Sequence, residues 1–143
     1  MASIKRHASA VWQGTGKEGT GSLSTQSGTL HDTRYGFQAR FGEGAGTNPE
    51  ELIAAAHAGC FSMATAFQLT GAGHPPDRLN TEATLTMEQE GGGFRIAAVH
   101  LVLRATVPGI AEDEFQRLAD TAKANCPVSR VLNAAITLEA HLE

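Results

Sequence analysis

Two cysteines, Cys60 and Cys126, are the residues of this sequence with the most distinctive chemistry. A thiolate attacks electrophilic oxygen and sulfur, and two thiols form a disulfide when oxidised. Cys126 directly precedes Pro127, so it is expected at the start of a short helix, where unpaired backbone N–H groups favour a thiolate. Cys60 lies within a long apolar segment, where burial raises its pKa and a cation is needed to stabilise the thiolate. The residues alone leave open that both are only small buried side chains.

The segment around the first cysteine is predicted to be a long helix. Asn48 is a favourable N-cap, Pro49 suits the first helical position, and Glu51 stands three residues after the cap. The helix is expected to end at Gly71. Its apolar character suits a buried helix or a membrane span, and its alanines and initial acids favour a buried core helix without membrane contact. One sheet covers only one side of about 22 helical residues, so a second copy of the chain is expected on the other side.

The rest of the chain is predicted to form strands before and after this helix in the sequence. A polar second strand is expected at a sheet edge, and a second, amphipathic helix is expected over residues 111–125. Because helices and strands do not alternate regularly, the predicted class is α+β with a largely antiparallel sheet. The expected strands cover residues 6–13, 20–25, 35–41, 83–88, 94–107 and 136–142.

Size and composition narrow the class of protein further. A chain of 143 residues is expected to form one domain over residues 1–143, and a net charge of −4 without a basic patch argues against nucleic-acid binding. The N-terminus has no hydrophobic signal region, so a cytoplasmic location is expected, where cysteines are usually reduced. No cysteine or histidine spacing is typical of a metal site, so no metal is expected.

Several segments resemble a known family. They read GTNPEEL (46–52), AGCFSM (58–63), CPVS (126–129) and VLNA (131–134). They resemble the OsmC/Ohr family of bacterial thiol-dependent peroxidases, which reduce organic hydroperoxides, and residues 12–41 look like its OsmC branch. The resemblance covers essentially the whole chain. It implies an OsmC-like intertwined homodimer, with the cysteine helices at its centre and a role in oxidative or osmotic stress defence.

The resemblance also implies roles for both cysteines. Cys60 corresponds to the peroxidatic cysteine, which becomes a sulfenic acid, and Cys126 to the resolving cysteine, which then forms a disulfide with it. A dithiol, of the lipoyl type in this family, reduces that disulfide. The scheme requires no metal, flavin or haem cofactor.

A cation and its carboxylate partner are implied in the same way. Arg40, expected at the end of the third strand, corresponds to the family's catalytic arginine, and Glu50 to its partner. From the residues alone, Arg95 and Arg104 remain alternatives, and Glu50 could instead serve only the helix N-terminus. His57 lies one turn before Cys60 and is interpreted as a hydrogen-bonded core residue rather than a catalytic one.

Two further expectations concern the site as a whole. Glu50 and Cys60 are ten residues apart on the predicted helix, about 15 Å along its axis, so a Glu50 that serves Cys60 is expected from a second subunit. Apolar residues near Cys60 suit an organic peroxide; these are Phe41, Leu52, Ile53, Phe61, Met63 and Phe67.

The alternative functions are a non-enzymatic thiol redox sensor and an inert stress-response binding protein.

Overall fold

The computed structural model describes residues 2–143, which divide after Leu52 into two compact units. In chain order the elements are β1 (Ala8–Gln13), β2 (Thr20–Thr25), β3 (Thr33–Tyr35), α1 (Phe37–Phe41), α2 (Pro49–Gly71), β4 (Arg78–Glu90), β5 (Gly93–Thr106), α3 (Glu112–Asn125), α4 (Pro127–Val131) and β6 (Ala135–Leu142). The α+β class with largely antiparallel strands is confirmed, because among the strand pairs within residues 2–143 only β5 and β6 run parallel. The strands form two three-stranded sheets rather than one.

The first unit contains the sheet β1-β2-β3, with β2 in the centre. The expectation that β2 lies at an edge is therefore wrong. Its small polar residues leave space for rings on its neighbours: Trp12 of β1 and Tyr35 of β3 pack across it, with ring centroids 5.5 Å apart. A Cβ atom on Gly21 would lie 2.5 Å from the Tyr35 ring and 2.6 Å from the Trp12 ring. The glycine thus permits a close aromatic pair that polarity alone did not indicate.

The third predicted strand is also corrected, because it ends at Tyr35 and residues 37–41 form the helix α1. The alternation of apolar residues over so short a stretch does not distinguish a strand from a single helical turn. In the helix, Phe37 and Phe41 lie one turn apart and their rings pack, with centroids 4.9 Å apart. Arg40 therefore projects from a helix instead of a strand.

The ends of α2 agree with the sequence signals. The Glu51 N–H donates to Asn48 Oδ1 at 2.8 Å, which confirms the N-cap. The Glu51 carboxylate accepts a bond from the Thr47 hydroxyl at 2.6 Å. At the other end, the His74 N–H donates to the Leu69 carbonyl at 2.8 Å beyond the last turn.

In the second unit, α2 and α3 contribute to one core with the sheet β4-β5-β6. β5 is the central strand of this sheet, since it pairs with both β4 and β6. α2 buries a stripe with a spacing of four residues, and alternate residues of β5 are buried with it. The fully buried core residues include Phe61, Leu69, Val99, Leu101, Leu103 and Phe115.

The opposite face of α2 is not covered within the single chain. Met63 is 64% exposed and Phe67 72% exposed, so the helix is buried along one stripe rather than around its circumference. α2 is the one helix within residues 2–143 that is long and apolar enough to cross a membrane, with a mean hydropathy of 1.4. A core helix of a water-soluble protein has the same length and composition. The buried stripe of α2 is part of the core of the second unit.

Candidate active site

The first unit holds Arg40 and Glu50 together. Arg40 Nε donates to Glu50 Oε1 at 2.9 Å, and Nη2 donates to Oε2 at 3.2 Å. This two-bond geometry holds the guanidinium in one plane and leaves its other N–H groups available. The Glu50 side chain is 14% exposed, whereas that of Arg40 is 40% exposed. Glu50 therefore holds the Arg40 guanidinium in one orientation, and the guanidinium remains accessible to an anionic or polar partner.

The loop from α1 to α2 sets the position of this ion pair. The Asn48 side-chain amide donates to the Ala39 carbonyl at 2.9 Å, so the α2 N-cap residue also binds α1. Gly46 has a φ of 102° and passes beside the Arg34 carbonyl, with which any Cβ atom would collide. The loop can therefore turn tightly enough to bring the first turn of α2 beside α1.

Arg40 also borders an aromatic cavity of about 240 Å³ within the first unit. Its guanidinium carbon lies 5.0 Å from the centre of the Phe41 ring, a cation–π distance. Trp12 and Tyr35 supply further aromatic surface. A cavity that combines aromatic walls with one fixed cation suits a ligand with an apolar body and a polar end. The residues that line it are Trp12, Gly16, Tyr35, Gly36, Phe37, Arg40, Phe41 and Pro49.

The second unit brings the two cysteines together, both as thiols. Cys126 is fully buried and is the N-cap residue of α4, with Pro127 at the first helical position as predicted. Burial raises the pKa of the Cys60 thiol, and the hydrogen bond with the Cys126 side chain raises it further. A bond from the Val128 backbone acts in the opposite direction. Since burial dominates, Cys60 needs an external cation to become a thiolate near neutral pH.

His57 makes a contact that the sequence did not indicate. Its ring is fully buried, and Nε2 lies 2.7 Å from the hydroxyl of Ser129 in α4. Burial lowers the pKa of His57, so the ring is held neutral. Ser129 belongs to the CPVS segment, which was the only sequence signal that could have identified it. The interpretation of His57 as a hydrogen-bonded core residue agrees with this geometry.

The structure also places Arg95 and Arg104, the two arginines that the sequence left as alternatives to Arg40. Arg104 projects from β5 on the exposed face, opposite the buried residues Val99, Leu101 and Leu103 that share the core with α2. Arg95 forms an ion pair with Glu90 at the β4–β5 turn. Neither arginine therefore lies on the buried side of β5.

Within residues 2–143, no group of three or more histidine, cysteine, aspartate or glutamate side chains is close enough to hold a metal ion. Arg40 lies with Glu50 in the first unit, and Cys60 lies with Cys126 in the second. A long helix that carries one thiol, hydrogen-bonded to a second thiol at the start of a short helix, defines a two-cysteine thiol protein of α+β fold.

Comparison with known proteins specifies this class. Residues 42–141 match the OsmC-like protein family. Peroxiredoxin OsmC of Escherichia coli (strain K12) is 45% identical over 141 residues, which cover 99% of each protein. An organic hydroperoxide resistance protein of Xanthomonas axonopodis pv. citri (strain 306) is 36% identical over 65% of this chain and 64% of its own length. The chain therefore belongs to the OsmC family.

A solved structure agrees with the fold. The organic hydroperoxide resistance protein OhrB of Bacillus subtilis superposes with a TM-score of 0.71, over 96% of this chain and 98% of that one, at 24% sequence identity. At this identity the similarity concerns the fold. The expected OsmC-like fold, with a long helix that contains Cys60, is thus confirmed.

Proposed function

We propose that this protein, a thiol peroxidase of the OsmC family, reduces organic hydroperoxides to alcohols through Cys60 and Cys126. The observation that carries the proposal is the hydrogen bond between the two thiols, on two different helices of one unit. Two thiols in contact can pass from dithiol to disulfide with little movement of the backbone. The predicted single domain over residues 1–143 and a cytoplasmic location are part of the same proposal.

The reaction follows from the chemistry of the two thiols. The Cys60 thiolate attacks the distal oxygen of the hydroperoxide, the O–O bond breaks, and the alkoxide takes up a proton and leaves as an alcohol. Cys60 is then a sulfenic acid. The sulfur of Cys126 displaces its hydroxide, which leaves as water with the Cys126 proton, and a disulfide forms. A dithiol of the lipoyl type reduces the disulfide by exchange and itself becomes a cyclic disulfide.

Arg40 and Glu50 have a defined task in this scheme. Because burial raises the pKa of Cys60, a guanidinium beside the sulfur is needed to favour the thiolate. Arg40 can also donate hydrogen bonds to the peroxide oxygens, since Glu50 occupies only one edge of its guanidinium. Glu50 keeps the arginine in one orientation and does not react.

A homodimer completes this arrangement. The uncovered face of α2, with Met63 and Phe67, needs a partner to remove it from water, and a second copy of the same helix is the simplest one. Glu50 and Cys60 are ten residues apart on α2, about 15 Å along its axis. The Arg40–Glu50 pair of one subunit therefore serves the Cys60 of the other.

A mixed dimer tests the shared site. Cys60→Ser chains lack the nucleophile and Glu50→Ala chains lack the acid, so each parent is weak, whereas a mixed dimer contains one site with both residues native. Random association makes about half of the dimers mixed, so we expect about a quarter of wild-type peroxidase activity after the chains are unfolded and refolded together. Activity equal to the average of the two parents would contradict a shared site.

Substrate preference tests both the enzyme and its cavity. With a dithiol present, catalytic efficiency with cumene hydroperoxide should exceed that with hydrogen peroxide by about tenfold or more, because aromatic walls bury the apolar ring. Trp12→Leu should lower the efficiency with cumene hydroperoxide and leave that with hydrogen peroxide nearly unchanged, which makes hydrogen peroxide the internal control. Equal wild-type efficiencies would mean that the cavity does not select the substrate.

The same assay separates the proposed enzyme from its rivals. Repeated turnover in the presence of dihydrolipoamide supports the peroxidase. Consumption of a single equivalent of hydroperoxide by each chain would indicate a redox sensor instead, and no consumption would indicate a binding protein with incidental cysteines. Comparison of dihydrolipoamide with a monothiol tests the expected dithiol reductant.

A further inference from the structure

His57 and Ser129 join the same two helices as the two cysteines. His57 lies three residues before Cys60 on α2, and Ser129 lies three residues after Cys126 in α4. The bond of 2.7 Å between them spans 72 positions of sequence and involves a fully buried ring. The thiol contact and the His57–Ser129 bond are thus two parallel links between α2 and α4.

The two links differ in what the reaction does to them. Oxidation turns the Cys60 thiol into a sulfenic acid, so the hydrogen bond between the two thiols does not survive the first step. The Cys60 sulfur also accepts a bond from the Val128 backbone, which comes directly before Ser129. Neither His57 nor Ser129 is consumed at any stage. Their bond can therefore hold α4 in place while the sulfur chemistry proceeds.

The position of α4 matters because the sulfenic acid has two competing fates. It either condenses with Cys126 or meets a second hydroperoxide and becomes a sulfinic acid, which thiols do not reverse. The first fate is intramolecular, and its rate depends steeply on how well the two sulfurs are aligned. A link that restrains α4 favours the disulfide over the sulfinic acid.

The buried ring also has an unsatisfied atom. Among the described residues, His57 Nδ1 is the buried side-chain nitrogen or oxygen without a hydrogen-bond partner. A leucine at this position would bury the same apolar stripe without that cost, so packing alone does not account for a histidine. The bond to Ser129 is the property that a hydrocarbon side chain could not supply.

We propose that His57 and Ser129 form a positioning pair that holds α4 against α2, so that Cys126 captures the Cys60 sulfenic acid before a second hydroperoxide oxidises it. The proposal rests on the proposed function, because it concerns the second step of that reaction. The pair acts through Cys126 and touches neither the hydroperoxide nor the reductant.

Ser129→Ala is the direct test, since Ser129 is only partly buried and the substitution leaves no large cavity. The full-length variant reacts with one equivalent of cumene hydroperoxide, and rapid quenching with mass spectrometry follows the sulfenic acid, the disulfide and the sulfinic acid. We expect Cys60 oxidation within about twofold of wild type and disulfide formation slower by about tenfold, the effect of one lost hydrogen bond on a barrier. With excess hydroperoxide, the sulfinic fraction should rise correspondingly.

Two further variants distinguish positioning from general loosening. Ser129→Thr keeps the hydroxyl and should restore disulfide formation to near the wild-type rate. Ser62→Ala is the matched control, because Ser62 also lies on α2 but its hydroxyl bonds Thr81 of β4, at 2.7 Å, rather than a residue of α4. It should form the disulfide at the wild-type rate.

The outcomes separate this inference from the function on which it rests. Wild-type resolution in Ser129→Ala, or equal slowing in Ser62→Ala, would overturn the positioning pair and leave the peroxidase intact. Failure of Ser129→Thr to restore the rate would also overturn it. A wild-type Cys60 that cumene hydroperoxide leaves unoxidised would overturn the proposed function itself, and the role of the pair with it.

Discussion

Cys60→Ser is expected to abolish hydroperoxide consumption, with a loss of at least about a thousandfold in turnover. A serine hydroxyl does not ionise in the pH range in which a thiol forms a thiolate, so the variant lacks a nucleophile. The substitution exchanges sulfur for oxygen on a partly buried position of α2 and leaves the core residues in place. The measurement is the loss of cumene hydroperoxide in the presence of dihydrolipoamide. Turnover that persists in this variant would show that Cys60 is not the nucleophile.

Cys126→Ser provides the contrasting variant. Cys60 can still be oxidised, so one equivalent of hydroperoxide should be consumed and the reaction should then stop at a sulfenic acid that dimedone can trap. Because Cys126 is fully buried, circular dichroism and thermal melting should accompany the assay. A folded Cys126→Ser protein that keeps turning over with the dithiol would remove Cys126 from the role of resolving residue.

Arg40→Gln is expected to lower kcat/KM for cumene hydroperoxide by about a hundredfold, the usual effect of removing one preorganised group that stabilises charge at a reaction centre. Glutamine keeps hydrogen-bonding capacity but lacks the positive charge and the bond geometry shared with Glu50. Arg40→Lys should recover only part of the loss, because an ammonium group cannot form the same two-bond contact.

The pH profile of Arg40→Gln separates the effect of charge from that of shape. Burial already raises the pKa of Cys60, and in the proposed shared site the loss of the Arg40 cation raises it further, since a cation favours the thiolate. The midpoint of the rate of Cys60 oxidation should therefore move to higher pH, and activity should recover in part as the pH rises. An unchanged midpoint would mean that Arg40 does not act on the thiol.

Arg95→Gln is the matched control for this experiment. Arg95 also forms an ion pair with a glutamate, Glu90, but on the exposed β4–β5 turn. Its replacement should leave both kcat/KM and the pH midpoint near those of the wild type. An equal loss in both variants would point to net charge or stability rather than to a specific arginine.

Local signals in the sequence were sufficient to predict α2 and the start of α4. Asn48 caps α2 as expected, and Cys126 followed by Pro127 begins α4. Helix caps involve residues three or four positions apart, so nearby sequence contains the necessary information. The long strands β4 and β5, the buried face of α3 and the α+β class were predictable for a similar reason, since the periodicity of apolar residues records which side is buried.

Tertiary structure decided the features that depend on distant residues. The short segment that contains Phe37 and Arg40 forms a helix whose Ala39 carbonyl accepts a hydrogen bond from the Asn48 side chain, and the alternation of five residues does not predict that contact. β2 became central because β3 returns to pair with it. The partner of His57 lies 72 positions away, and no local rule identifies a contact over that separation. Contacts of this kind form only when folding brings whole elements together, so neighbouring residues in the sequence do not encode them.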